Sequence, residues 1–279
     1  MDIKLMNAAI DYVEDHLSSP IDLGEIERIS AMSRYNFQKV FTILSGVTFG
    51  EYVRMRRMSR AMQLLKETET KILDIALECG YESQDAFTKS FKNLYKITPN
   101  SFRRHPVSLT TFPKMNISVT IRGGISMAYQ VRELETMSVV GEVRLYKSMG
   151  EALRQINSFW NEFNDSERPD ALIEIADKKI QGFLGVSIPQ GDGLEYMIAV
   201  SSDADTRNFE SREIPGGRYL VFEAKGPVPD EIQRVTKEAF ESVIPSSDYE
   251  LRDAPEFELY KPGDPNSAEY VTEIWVPVQ

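Results

Sequence analysis

Apolar residues recur at every third or fourth position along the first part of the chain, which is the spacing that places them on one side of an α-helix. Short breaks that contain Gly, Ser or Pro separate the runs, and the pattern continues to about Arg104. The strongest runs are RYNFQKVFTILSG, FGEYVRMRRMSRAMQLLKET and QDAFTKSFKNLYK. The first part of the chain is therefore predicted to consist of successive short helices.

The pattern changes after HPVSLTTFPKMN, a segment with two prolines. The following runs of β-branched and alternating residues predict strands: SVTIRG, MAYQVREL, MSVVGEVRLY, KIQGFLGVSIP, LEYMIAVSS, two strands within FESREIPGGRYLVFEAKG, then EFELYKP and YVTEIWVPV. Two amphipathic segments, SMGEALRQINSFWNEFN and PDEIQRVTKEAFESVI, predict helices. The order strand–helix–strand–strand occurs twice, over roughly 137–202 and 216–277. We predict duplicated β-α-β-β units that form an antiparallel sheet, with both helices on one face and a groove between the copies.

A sub-pattern of the helical part occurs twice, as LGEIERISAMSRYNFQKVF and ILDIALECGYESQDAFTKSF. In each copy a short helix ends in a tight break, and a second helix opens on a serine that suits the N-cap position. The second helices are expected to present two outward polar faces, which consist of Arg34, Tyr35, Gln38 and Lys39 and of Gln84, Asp85, Thr88 and Lys89. Such faces are either solvated surfaces of ordinary amphipathic helices or surfaces that contact DNA, and the repetition favours a double helix-turn-helix.

These patterns predict two domains: an all-α double helix-turn-helix domain over residues 1–106, a linker at 107–117 and an α+β domain over 118–279. The net charge of −11 is distributed unequally between them. Residues 1–106 contain 15 Lys and Arg against 14 Asp and Glu, whereas residues 107–279 contain 17 against 29. The acidity therefore belongs to the second domain, and the first domain is free to carry a locally basic surface.

The composition argues against several classes of protein. With one Cys and two His, the chain has no disulfide framework, no multi-Cys zinc site and few means of building a Ser-His-Asp triad. No apolar run approaches the ~18–20 residues of a membrane span, and the charged N-terminal segment is unlike a signal peptide. We therefore expect a cytoplasmic protein that is not an enzyme and has no catalytic residues, metal, cofactor or membrane partner.

The second helix-turn-helix carries a longer motif, formed by Gly80-Tyr81, Ser83, Phe91-Lys92, Thr98-Pro99 and Phe102-Arg103. With these residues, the segment ~7–106 resembles the DNA-binding domain of AraC/XylS-type transcription regulators. The resemblance implies that helices 34–44 and 84–95 enter successive major-groove segments of double-stranded DNA. By position, the base-reading candidates are Tyr35, Gln38, Lys39, Gln84, Asp85, Thr88 and Lys89. It also implies RNA polymerase as a protein partner and a chain that acts as a monomer or a homodimer.

The segments SFWNEF, LEYMIAV, IPGGRYLVFEAKGP, EFELY and EIWVPV resemble the GyrI-like effector-binding domain, which also occurs in multidrug-sensing regulators. The resemblance implies a lipophilic, cationic small molecule that is bound by aromatic side chains and a buried glutamate on the strand EFELY. That glutamate is Glu258 here. The candidate aromatic partners are Trp160, Tyr196, Tyr219, Phe222 and Trp275.

Each aromatic candidate also has a purely structural interpretation. Trp160 fits a helix core, Tyr196 and Phe222 can pack the sheet, and Tyr219 can support the adjacent glycine pair; Glu256 is expected to be a solvated charge. The leading function is a ligand-responsive, DNA-binding transcription regulator. Two alternatives are hydrolysis of a small electrophile, with Glu258 as a general base, and binding of a protein partner by the C-terminal domain.

Overall fold

The protein divides into two compact units. The computed structural model describes residues 1–118, 127–177, 179–191 and 193–279. One unit, here called the sheet unit, comprises Met1, Met32–Leu44 and Val119–Gln279; the other, called the helical unit, comprises Asp2–Ala31 and Ser45–Ser118. A short N-terminal segment thus belongs to the sheet unit, which the predicted domain boundaries did not anticipate.

The N-terminal part of the chain forms helices where the periodicity predicts them. They are α1 (Ile3–Asp15), α2 (Leu23–Ser30), α3 (Arg34–Ser45), α4 (Phe49–Glu67), α5 (Ile72–Glu78), α6 (Gln84–Tyr95) and α7 (Pro99–Arg104). Nearly all of α3 lies in the sheet unit, and the other helices lie in the helical unit. The N-cap serine predicted for α6 is confirmed, because the Ser83 hydroxyl accepts a hydrogen bond from the backbone N–H of Ala86 at 3.2 Å.

The core of the helical unit joins the apolar stripes of α4, α5, α6 and α7. Phe87 and Phe91 of α6 are fully buried there, and Phe102 of α7 lies with its ring centroid 6.0 Å from that of Phe91. Thr98 caps α7 by accepting a hydrogen bond from Ser101, and Pro99 takes the first helical position, where a missing N–H is tolerated. The Thr-Pro motif is thus the start of a helix that closes this core.

The C-terminal part forms the strands β1 (Tyr129–Leu134), β2 (Met137–Tyr146), β3 (Phe183–Gln190), β4 (Gly193–Ser201), β5 (Glu210–Ile214), β6 (Gly217–Lys225), β7 (Glu256–Tyr260) and β8 (Val271–Pro277). Its helices are α8 (Met149–Asn164), α9 (Arg168–Ile175), α10 (Asp230–Glu238), a π-helical turn (Ala239–Val243) and α11 (Ile244–Ser246). The predicted strand SVTIRG lies, apart from Ser118, outside the described residues. Helix α9 was not predicted, although Pro169 in its first turn is a typical start signal.

The strands in the described ranges form one antiparallel sheet in the order β1-β6-β8-β7-β3-β4-β2-β5. If β1–β4 are exchanged with β5–β8, the same order reads backwards. This is the pseudo-twofold arrangement that the duplicated pattern predicts. The β3–β7 pair lies at the centre of the sheet, where the two copies meet.

The two faces of the sheet carry different clusters. One face holds a core that includes Val186, Phe257 and Trp275. The opposite face holds a second core in which α8 covers Tyr196 and Ile198 of β4. Because successive side chains of a strand alternate between faces, Glu256, Glu258 and Tyr260 share the face covered by α8.

Candidate functional site

The centre of the candidate site is the carboxyl group of Glu258 on β7. The register of the sheet places Glu258 opposite Gly185 of β3 and opposite Ile274 of β8. Its Oε2 atom has no solvent contact and no hydrogen-bond partner among the described residues. A buried carboxyl oxygen without a partner is costly, so such an atom in a native structure calls for an explanation.

Aromatic side chains surround this carboxyl group. A Cβ atom built on Gly185 would lie 2.3 Å from the hydroxyl oxygen of Tyr196 and 2.9 Å from Oε2 of Glu258, so both groups converge over the bare glycine. Trp160 of α8 donates its indole N–H to the Tyr196 hydroxyl at 2.9 Å. The Trp160 ring also lies 4.7 Å from the ring of Tyr260, centroid to centroid. Tyr196, Trp160 and Tyr260 thus line the space beside Glu258.

This environment changes the acidity of the groups that line the site. Burial, and secondarily the nearby Glu256 carboxylate, raises the pKa of Glu258 from 4.5 to about 8. Burial and then the charge of Glu258 raise the pKa of Tyr196 well above its ordinary value. The carboxyl group of Glu258 is therefore largely protonated at neutral pH.

We expect the stability of the sheet unit to decrease as the pH rises from about 4.5 to about 8, because the folded chain keeps a proton on Glu258 that the unfolded chain has lost. The upper limit of this effect is about 5 kcal/mol, and the partial exposure of the residue reduces it. Urea unfolding followed by tryptophan fluorescence measures it, since both tryptophans, Trp160 and Trp275, lie in this unit. Glu258→Gln should remove this part of the pH dependence, and an identical pH profile for both chains would contradict the assignment.

Helix α3 contributes two further side chains to the same region of the sheet unit. The Lys39 ammonium group donates to Glu256 Oε2 at 2.5 Å, and the Tyr35 hydroxyl donates to Glu256 Oε1 at 3.4 Å. Lys39 is 6% exposed and Tyr35 is 7% exposed. Tyr35 joins the apolar cluster that contains Phe159 and Tyr196.

The expectation that Tyr35 and Lys39 face outward is therefore wrong for this structure, and Glu256 is paired rather than solvated. Arg34 and Gln38 are half-buried. The physical reason is that Glu256 offers a carboxylate to Lys39 across more than two hundred residues of sequence. The helical period gives the side of a helix on which a residue lies, but it does not show what covers that side. Contact of these residues with DNA stays a prediction.

Two of the predicted aromatic partners lie on the wrong face of the sheet. Trp275 pairs with Phe257 in the sheet and stacks on it with ring centroids 5.1 Å apart, and Tyr219 lies 5.9 Å from Trp275. All three belong to the cluster on the face opposite Glu258. Phe222 shares the face of Glu258, but the register places Ile274 of the intervening strand between them. The sequence motif identified the strands correctly and did not reveal which face each ring occupies.

Four residues of the site were not predicted as part of it: Gly185, Tyr260, and Tyr35 and Lys39 of α3. The last two had been predicted as DNA contacts instead. Tyr260 shares the alternation of Glu256 and Glu258 and could have been found from it. An isolated glycine within a strand indicates a close approach of neighbouring groups, which was the available signal for Gly185. No signal in the sequence indicated α3.

The second predicted DNA-contacting face has the expected exposure. Gln84, Asp85 and Lys89 on α6 are exposed and Thr88 is half-buried, while Phe87 and Phe91 point into the core of the helical unit. The start of α6 is fixed by the Ser83 cap and by Tyr81, whose hydroxyl lies 2.8 Å from that of Ser90. The cap and the buried side chains thus hold the helix in place, and its opposite, polar face is exposed.

Comparison with known families identifies both parts of the chain. The family described as integron-associated effector-binding protein matches residues 130–278, which is more than half of the chain, and a helix-turn-helix domain family matches residues 27–105. The multiple antibiotic resistance protein MarA of Escherichia coli (strain K12) is 34% identical over 102 residues, which cover 37% of this chain and 80% of MarA. The chain belongs to the AraC-type regulators and carries an integron-associated effector-binding domain.

Other relatives of this AraC-type regulator match larger parts of it. The right origin-binding protein of Escherichia coli (strain K12) is 26% identical over 267 residues, which cover 91% of this chain and 89% of that protein. One solved structure that matches is titled a putative bacterial transcription regulation protein of Staphylococcus aureus MU50. It is 31% identical in sequence, with a TM-score of 0.51, and the match covers 55% of this chain and 99% of that chain. SAV2435, whose structure has been solved with bound tetraphenylphosphonium, is 31% identical in sequence to this chain. The structures match with a TM-score of 0.52 over 55% of this chain and 94% of that chain.

The predicted family, the two-domain fold and the antiparallel sheet are thus confirmed for this AraC-type regulator. The chain is an AraC-type DNA-binding regulator with an effector-binding domain. Among the described residues, no helix is both long enough and apolar enough to cross a membrane.

Proposed function

We propose that this AraC-type regulator senses a lipophilic organic cation, which binds beside Glu258 in the groove between the two copies of the β-α-β-β unit. The observation that carries the proposal is the buried Oε2 atom of Glu258, which has no hydrogen-bond partner among the described residues and is surrounded by Tyr196, Trp160 and Tyr260. The site offers a negative charge and ring faces together, which is the combination that recognises an organic cation without hydrogen-bond donors.

The electrostatics of the site favour a cation over a neutral molecule. Glu256 and Glu258 lie on the same face two positions apart, and their mutual repulsion contributes to the raised pKa of Glu258. A cation beside them lowers that repulsion and favours ionisation of Glu258, so its binding is coupled to proton release. Because the carboxyl group is screened from water, its attraction for a cation is stronger than it would be on the surface.

A relative supports the chemical class of the ligand. SAV2435, which is 31% identical over 55% of this chain, has been solved with tetraphenylphosphonium, a lipophilic cation that carries its charge inside a shell of phenyl rings. We infer that the related domain of this regulator accepts molecules of the same class. Tetraphenylphosphonium is therefore a suitable probe.

For the DNA-binding part we propose that α6 contacts a major groove through Gln84, Asp85, Thr88 and Lys89. Their exposure on one face of a capped helix supports this role. Gln and Asp can bond to base edges, whereas Lys contacts either guanine or a phosphate. We propose the same function for α3, with Arg34, Tyr35, Gln38 and Lys39, in a state in which these side chains are accessible.

Calorimetric titration of the full chain with tetraphenylphosphonium tests the sensing function. We expect binding whose affinity rises roughly tenfold per pH unit below about pH 8, since ligand binding ionises Glu258. Glu258→Gln should weaken binding by roughly tenfold to a hundredfold and remove most of this pH dependence.

The matched control is Glu223→Gln, which removes an exposed carboxylate from β6 of the same sheet. This variant should bind the cation with wild-type affinity, which separates a local effect of Glu258 from a change in net charge. Failure of the wild-type chain to bind, or equal losses in the two variants, would contradict the proposed site.

A further inference from the structure

Helix α3 lies against the face of β7 that carries Glu258, beside which the effector is expected to bind. Two residues of α3 and the serine that precedes it bond to residues on or near β7: the Ser33 hydroxyl donates to Asp253 Oδ1 at 3.1 Å, and Tyr35 and Lys39 donate to the two oxygens of Glu256. All these residues belong to the sheet unit, which includes Met32–Leu44. The contacts extend from Ser33, just before the helix, to Lys39 in its second turn.

The position of Lys39 reproduces the chemistry expected of a cationic effector. Its ammonium group lies 2.5 Å from a carboxylate oxygen of Glu256 and 5.0 Å from the ring centroid of Phe240. A cation held by a carboxylate and an aromatic face is the arrangement that the proposed ligand would also make. Tyr35 adds an aromatic ring to the apolar cluster that also contains Tyr196 and Phe159.

The chain provides an internal comparison for Lys39. In the second helix-turn-helix, Lys89 occupies the corresponding position of the repeat, and it is exposed. Burial of Lys39 is therefore not a general property of this helix type. A lysine ammonium is buried at a large cost unless a carboxylate is present to pair with it, and Glu256 supplies that partner.

We propose that α3 is an intramolecular competitor of the effector: Lys39 and Tyr35 bond to Glu256, next to the Glu258 carboxyl group at which the effector would bind, and the same residues become available to DNA only when α3 leaves this face of the sheet. This inference rests on the proposed function, because it makes α3 compete with the effector for the proposed effector site. Effector binding and α3 docking exclude each other, so an effector shifts the chain toward the state with α3 released. The coupling predicts that effector and DNA each favour the binding of the other.

A reversible cross-link tests whether docked α3 blocks both ligands. In the full chain, Ser33→Cys with Asp253→Cys should form a disulfide on mild oxidation, because these side chains are in hydrogen-bond contact. The natural Cys79 is buried, so it adds little competing reactivity. We expect the oxidised chain to lose affinity for tetraphenylphosphonium and for a duplex enriched from a random-site library, each at least tenfold or so, and to regain both on reduction.

The reduced double variant gives a second readout. Tetraphenylphosphonium or the selected duplex should slow disulfide formation, because each favours the state in which α3 has left this face of the sheet. Absence of the disulfide in the unliganded chain, or a disulfide that leaves both affinities unchanged, would overturn the proposal.

A pair of matched substitutions tests the same idea without a cross-link. Lys39→Met keeps a long side chain but removes the charge that pairs with Glu256, so α3 should dock less tightly and tetraphenylphosphonium should bind roughly tenfold more tightly than to wild type. Lys66→Met removes an exposed lysine charge from the last turn of α4, which has no assigned role in binding, and should leave this affinity unchanged. Equal affinities for wild type and Lys39→Met would contradict the role of α3 as a competitor.

These measurements also separate the two proposals. If wild type, Lys39→Met and the reduced cysteine variant all fail to bind tetraphenylphosphonium, the proposed cation sensing is wrong. The effect of the cross-link on DNA affinity then still decides whether α3 is sequestered. If the cation binds wild type and both lysine variants equally, sensing stands and competition by α3 is wrong.

Discussion

Gly185→Ala is expected to weaken binding of tetraphenylphosphonium by roughly a hundredfold and to lower the free energy of unfolding by about 1–3 kcal/mol. The added methyl carbon would lie 2.3 Å from the Tyr196 hydroxyl oxygen and 2.9 Å from Oε2 of Glu258, which is closer than side chains approach in folded proteins. The Tyr196 hydroxyl does not move freely, because the Trp160 indole N–H donates to it at 2.9 Å. The substitution therefore displaces the carboxyl group and an aromatic wall of the site together.

Calorimetry with the full chain measures the change in affinity, and tryptophan fluorescence in urea measures the change in stability. The double variant Gly185→Ala with Tyr196→Phe removes the oxygen that the new carbon would meet first. It should recover part of the lost stability relative to Gly185→Ala alone, so the two substitutions should be non-additive. Wild-type affinity in Gly185→Ala would mean that the cation does not bind beside Glu258.

Gly141→Ala should destabilise the sheet unit by more than about 3 kcal/mol, a large share of the roughly 5–15 kcal/mol that stabilises a typical domain. A Cβ atom at this position on β2 would lie 2.0 Å from the carbonyl oxygen of Ile198 and 2.6 Å from the Cα of Ala199. Both atoms belong to the backbone of β4, so a rotamer change cannot relieve the overlap. The strands would have to separate at the pairing of Gly141 with Ala199.

The appropriate control is Gly50→Ala, in the first turn of α4, where an added Cβ would meet no atom within 4 Å. Because alanine favours a helix over glycine, this variant should be neutral or more stable by about 0.5–1 kcal/mol. Urea unfolding of the two variants, with circular dichroism for the helices and tryptophan fluorescence for the sheet unit, compares them. A Gly141→Ala chain that unfolds at the wild-type urea concentration would contradict the close approach of β2 and β4.

The sequence was sufficient to predict the elements and their repetition, because hydrophobic periods of 3.6 and 2 depend only on neighbouring residues. The resemblance to the GyrI-like effector-binding domain suggested Glu258, Tyr196 and Trp160, which the structure brings together. The sequence could not place Tyr219 and Trp275, because their faces depend on the register between strands. A shift of a single position in register reverses the face of every side chain in a strand.

The role of α3 was hidden for a different reason. Lys39 and Glu256 are separated by 217 positions, and each residue taken alone resembles an ordinary surface charge. Their pairing depends on the tertiary fold, whereas helical periodicity reports only which residues lie on the same side. The repeat with Lys89 even favoured the wrong interpretation, since it suggested that both lysines are exposed. The difference between the two copies becomes informative only when the coordinates of both are known.

The order of the strands has a consequence for the origin of the sheet unit. Strand β1 precedes the first copy of the repeat but pairs with β6 of the second, and β5 precedes the second copy but pairs with β2 of the first. The strand that precedes each copy thus pairs with the other copy. An ancestral polypeptide of half the length could have made all of these pairings as a homodimer with exchanged arms. After gene fusion, the sequences of the two halves could diverge. A single acidic side chain at the former twofold axis of the dimer could then bind a ligand that lacks twofold symmetry.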